Sequence, residues 1–141
     1  MPTTTPATSA PADPQPCRAE DLTVDVAVSP TQVQAGERVT LRVRVSAVAL
    51  PCRLDVGPVA RAAEVRSGGA PVWSTEHCEA GDDSAPLVLR PGSPHEFTVR
   101  WEGRRTAPGC PGGLGGPSAG EHVAVVQVGP ARSGDVPFRL T

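Results

Sequence analysis

The chain has 141 residues, with 13 basic side chains against 15 acidic ones, a formal charge of −2. One domain is the expectation at that length, and the balanced charge gives no reason to expect nucleic acid or an anionic membrane surface as partner. No apolar run approaches the roughly 18 residues that a membrane helix needs, so no direct membrane insertion by this segment is expected.

Residues 1–16 contain five prolines and no Val, Leu, Phe or Trp. Such a stretch has too little apolar surface to offset its chain entropy, and it reads as a disordered Pro/Thr/Ala-rich linker. The domain proper is expected over 17–141. From Leu22 the dominant period is two. Leu22, Val24, Val26 and Val28 alternate with Thr23, Asp25, Ala27 and Ser29, the pattern of a half-buried strand. Pro30 to Gly36 supplies a break. Val39, Leu41, Val43, Val45 and Ala47 then face one way, against Arg38, Thr40, Arg42, Arg44 and Ser46. Pro51-Cys52 ends that strand.

Arg53–Val56 and Ala63–Ser67 are weaker strands. A turn follows at Ser67-Gly68-Gly69-Ala70-Pro71, then a short strand at Val72–Ser74 and an acidic loop from His77 to Ala85. Leu87–Leu89 precedes a Pro/Gly turn. His95 to Glu102 alternates again, with Phe97, Val99 and Trp101 in phase. Residues 104–120 form a Gly/Pro loop. His122 to Val128 is apolar at nearly every position and reads as a central strand. Val136, Phe138 and Leu140 close the chain. No window carries apolar residues at helical spacing over three turns. The fold class is therefore all-β: an immunoglobulin-like antiparallel β-sandwich of 7–9 strands, with two disulfides and a disordered N-terminal tail.

Cys17, Cys52, Cys78 and Cys110 are separated by 35, 26 and 32 residues. Zinc ligands come in close pairs, so this spacing favours two disulfides over a metal site. Of the three possible connectivities, strand order favours Cys17–Cys52 and Cys78–Cys110. Cys17 precedes the first strand and Cys52 follows the second, which brings them together if those strands pair antiparallel. Cys78 and Cys110 then remain. Disulfides point to an oxidising compartment. No basic n-region and no apolar h-region of a signal peptide are visible after Met1. A Pro/Thr/Ala tract directly before a cysteine-stapled domain nevertheless resembles the stalk after a signal peptide or membrane anchor, so an upstream export segment is expected.

Alanine, glycine, arginine and proline make up 63 of the 141 residues, and Lys, Ile, Asn and Tyr are absent. The pattern is that of a high-GC bacterial gene, so the arginines are not read as chosen for phosphate or carboxylate. Arg38, Arg42 and Arg44 are expected on an ordinary exposed sheet face. Each of His77, His95 and His122 adjoins a Glu, but neighbours along a strand point to opposite faces. No Gly-x-Ser-x-Gly elbow occurs. No catalytic residue is assigned and no enzyme activity is expected. Glu76, His77, Glu79, Asp82 and Asp83 lack the alternating spacing of a calcium loop and read as a solvated loop. No metal or cofactor is expected. Trp73 and Trp101 are expected in the core, and the 109–120 loop is the segment best suited to recognition.

The runs Val65–Ser74, Leu87–Gly92, Phe97–Gly103 and Ala119–Val123 resemble the proteinase-inhibitor-like immunoglobulin-type sandwich of the BsuPI family. They are more similar still to extracytoplasmic domains of small actinobacterial membrane-anchored proteins of unknown function. That resemblance spans about residues 17–141. It departs at His122, where the family tends to have an aromatic, and in carrying cysteines. The disulfides, the stalk and the lack of catalytic signals favour a non-catalytic, monomeric interaction or structural module at the cell envelope, with an unidentified protein or envelope partner. The alternatives are an inhibitor of the BsuPI type and an accessory domain of a larger membrane protein or enzyme.

Overall fold

The computed structural model describes residues 14–78 and 81–141. Eleven strands appear among them: β1 (Leu22–Ser29), β2 (Gln32–Val33), β3 (Val39–Ala47), β4 (Cys52–Asp55), β5 (Arg61–Ser67), β6 (Ala70–Ser74), β7 (Pro86–Leu89), β8 (His95–Trp101), β9 (Gly120–Val128), β10 (Ala131–Arg132) and β11 (Val136–Leu140). The only helical turns described are 3-10 turns at Ala19–Asp21 and Pro58–Ala60. Nine of these strands are those expected from periodicity. The two extra ones, β2 and β10, have two residues each, too short to show a period.

One sheet runs β1-β3-β8 and the other β2-β11-β9-β5-β6, with β10 paired to β9. β4 and β7 form a separate two-stranded sheet. Three strands facing a sheet built around β11, β9 and β5 is the immunoglobulin-type order, with β6 added by a hairpin. Between the named strands the expected antiparallel pairing holds with one exception. Beyond the break at Pro30 the chain crosses to the second sheet, where β2 lies parallel to β11.

The period of two becomes a core. Val39, Leu41, Val43 and Val45 on β3 are fully buried. They face Val65 of β5, Ala124, Val126 and Val128 of β9, and Phe138 and Leu140 of β11. Valine suits such a core because its one dominant rotamer loses little entropy on packing. Each fully buried Val or Leu contributes about 1.5–3 kcal/mol. β9 is central, as its near-continuous apolar run predicts. Val125, on its outer face, is also buried, beside Glu64, Arg66 and Arg132. Arg132 reaches Glu64 at 2.9 Å.

The disulfides are Cys17–Cys52 and Cys78–Cys110, the pairing anticipated from strand order. β1 does pair antiparallel with β3. However, β3 ends at Ala47, and Cys52 opens β4 instead of closing that strand. The first thirteen residues of the expected linker lie outside the described residues. Its last three belong to the domain. The Gln15 carbonyl accepts from the Arg53 amide at 2.8 Å, the Pro14 carbonyl accepts from Arg53 Nε at 2.7 Å, and the Cys17 amide donates to the Arg53 carbonyl. Residues 14–17 are thus laid against β4, where the disulfide also fixes them.

Geometry demands glycine at the β5–β6 hairpin and after β8. Gly68 and Gly69 both have positive φ and close the two-residue β5–β6 hairpin, as its twist requires. Gly103 follows β8 with φ +79, and a Cβ there would lie 2.5 Å from the Glu37 carbonyl oxygen. Gly103→Ala therefore combines backbone strain with a clash against backbone. It should cost about 2–4 kcal/mol in denaturant unfolding. Gly112→Ala, which meets open space at ordinary φ, should be neutral within about 0.5 kcal/mol.

Candidate functional site

In the β3–β8 register, Phe97 pairs with Val43 and Val99 with Leu41. The β3 residues are sealed, but Phe97 and Val99 are only half-buried. The difference arises because β8 is the last strand of its sheet and β6 the last of the other. On this side the sandwich stays open. The gap is a cleft of about 360 Å³ between β5, β6 and β8, lined by Arg61, Trp73, Thr75, Phe97, Val99 and Arg100 among others. Its volume lies within the range of small-ligand sites.

Each wall has a local cause. Arg61 opens β5 and places its guanidinium carbon 4.3 Å from the Phe97 ring centroid, a cation–π contact. Its terminal nitrogen donates to the Val56 carbonyl at 3.4 Å. Partial burial holds this guanidinium below the usual arginine pKa, by desolvation. Trp73 stands half-buried on edge strand β6, with its ring centroid 6.1 Å from that of Trp101. Trp101 is core, as expected, and its Nε1–H donates to the Arg104 carbonyl at 2.9 Å. Trp73 packs against the core, as expected, but only in part. An edge strand has no outer neighbour to bury it, so its ring is part of the cleft wall.

The cleft floor is tied to the long loop. The Thr106 amide donates to the Val72 carbonyl, and Thr106 Oγ1 accepts from the Ser74 amide at 3.3 Å. Cys78–Cys110 joins the end of β6 to the same loop. Thr106 Oγ1 also lies 2.7 Å from His77 Nδ1. A hydroxyl against an imidazole is the geometry of a nucleophile and its base. Here the hydroxyl is already engaged by the Ser74 amide, and no described carboxylate orients His77. The contact acts as a latch holding the loop on β6. Sequence spacing gave no sign of it, because the two residues are 29 apart.

The other histidines lie elsewhere. His95 opens β8 with its ring 6.1 Å from Phe97. His122 is buried on β9 against Phe138, with Nδ1–H donating to the Gly120 carbonyl at 3.0 Å and Nε2 without a described partner. Of the acidic loop, Glu79 lies outside the described residues. Among the described residues, no three His, Cys, Asp or Glu side chains converge. Instead, the loop's far end is stitched to the chain after β4. Asp55 accepts from the Gly57 and Ala85 amides at 2.9 Å each. Arg38, Arg42 and Arg44 are exposed, as expected, and two of them reach across to β8. Arg38 meets Glu102 at 3.1 Å and Arg44 meets Glu96 at 3.5 Å. Such exposed pairs contribute little to stability.

No family model matches the sequence, and no curated protein is a significant sequence match. Solved structures do match the fold. The alkylpurine DNA glycosylase AlkC of Pseudomonas fluorescens, bound to DNA containing an abasic site analog, is similar over 85% of this chain and 30% of its own, at 17% identity and TM-score 0.51. The sporulation control protein Spo0M of Bacillus subtilis is similar over 85% of this chain and 48% of its own, at 16% identity and TM-score 0.50. The chain thus spans less than half the length of either. At such identity the likeness is one of fold.

Proposed function

We propose that the chain is a non-catalytic interaction domain of an extracytoplasmic compartment. It is monomeric, held at the cell envelope, and has a protein or other envelope component as partner. The observation that carries this reading is the state of the cysteines: all four are in disulfides, and no free cysteine occurs among the described residues. The Cys17–Cys52 bridge fixes the entering chain to the core, and the Cys78–Cys110 bridge restrains the long loop. Small secreted domains use disulfides in this way. No described helix is long and apolar enough to cross a membrane.

The test is the thiol state of protein taken from the producing cells. Free thiols are trapped by alkylation during lysis, intact mass is measured with and without reduction, and the bridges are mapped by digestion. Full protection from alkylation, with Cys17–Cys52 and Cys78–Cys110 peptides recovered, is the expected result. Four alkylated thiols would place the chain in a reducing compartment and remove the proposal.

A further inference from the structure

We infer that the cleft takes an extended acidic peptide, which adds as a strand to the free edge of β8, sets an apolar side chain against Trp73 and Phe97, and brings a carboxylate to Arg100. The inference rests on reading the domain as an interaction module, and it names the chemistry of the partner.

Three features lead to it. The first is the edge. β1, at the opposite side of its sheet, is backed by β9, β10 and β11. β8 has β3 on one side and no described strand on the other. An unpaired edge presents amide and carbonyl groups that another strand satisfies best. The second is the apolar surface. Phe97 and Val99 stay half-exposed beside fully buried neighbours, so a covering side chain would complete a layer that the domain leaves unfinished.

The third is charge. Among the described residues the cleft is lined by Arg61 and Arg100 and by no acidic side chain. Past Trp73 and Arg100 it opens into a second groove of about 640 Å³, with Arg38, Arg104 and Glu102 on its walls. Glu102 is held by Arg38. Arg100 is exposed and forms no ion pair among the described residues. The occupant is therefore anionic. A small free anion would fill neither the length of the two grooves nor the strand edge, whereas an extended chain does both.

The experiment uses the intact, oxidised chain and fluorescence anisotropy. The probe is a labelled seven-residue peptide in which glutamate alternates with valine and phenylalanine. Its counterpart carries lysine for glutamate. Two further versions of the acidic peptide are N-methylated on alternate amides, one in each phase. The acidic peptide should bind at least about tenfold more tightly than the basic one, and Arg100→Glu should remove that preference. One methylated phase should lose binding about tenfold or more, and the other should keep it.

Arg100 is exposed, so the Arg100→Glu variant should melt like the parent. Trp73→Ala, a second variant, should weaken the acidic peptide by about fivefold or more. Equal binding of the two charge types would overturn the inference. So would equal binding of the two methylated phases, which would indicate a carboxylate contact without strand addition. Disulfide mapping is independent of either outcome, so the module reading and the peptide inference fail separately.

Discussion

Reduction of both disulfides should leave the chain largely unfolded at 37 °C. Cys17–Cys52 closes a separation of 35 residues and Cys78–Cys110 one of 32. Loop-closure entropy assigns about 3–4 kcal/mol to each bridge, so losing both removes roughly 7 kcal/mol. Small domains have only about 5–15 kcal/mol in total. The two bridges should differ when removed singly by paired Cys→Ala changes. Cys17 and Cys52 are buried in the main core cluster, so their loss adds cavities and releases residues 14–17 from β4. Cys110 is exposed, and its bridge restrains mainly a Gly/Pro loop. Urea unfolding should therefore show the Cys17/Cys52 pair costing more, by about 1 kcal/mol or more. Equal costs would mean that the first bridge does nothing beyond closing its loop.

The fold was legible wherever one face of a strand meets the core. Val39 to Ala47 is the clearest case: its alternation fixes the face, and every inward residue is buried. The turn at Gly68-Gly69 was legible too, because only residues that accept positive φ close so short a hairpin. The disulfide pairing followed from placing the cysteines at strand ends. A period of two says which face is inside, but it does not name the neighbouring strand. For that reason neither the β4–β7 sheet, nor the parallel partner of β2, nor the exposure of β8 and β6 at one open side could be read. The cleft is made by those unpaired edges, so its residues look ordinary in sequence. Phe97 and Val99 read as core and Arg100 as surface, and only the missing neighbour turns the three into a site. The partial exposure of Trp73 was hidden for the same reason. His122 lies on a strand that was legible, but its burial against Phe138 depends on the β9–β11 register.

Trp101→Ala should be the most damaging single substitution in the chain, costing about 3–5 kcal/mol. Trp101 is 1% exposed, and it is the largest fully buried side chain. Its ring joins the layers. It meets Trp73 of β6 at 6.1 Å between centroids and Phe138 of β11 edge-on at 6.1 Å and 72°. It therefore links the last residue of one sheet to two strands of the other, in a core otherwise made mainly of valines too short to fill the space it leaves. Trp101→Phe separates the two parts of its role. A benzene ring keeps much of the packing but cannot donate to the Arg104 carbonyl, which Nε1–H reaches at 2.9 Å. That variant should cost about 1–2 kcal/mol, from one lost hydrogen bond and a small void. The Arg104 contact also sets where the long loop leaves β8, beside the cleft. Trp101→Phe should therefore loosen Thr106 from Val72, seen as faster exchange of the Thr106 amide, while the amides of β3 stay protected. If both variants unfold at the same denaturant concentration, the indole nitrogen carries the stability, and the ring is not the keystone that its burial implies.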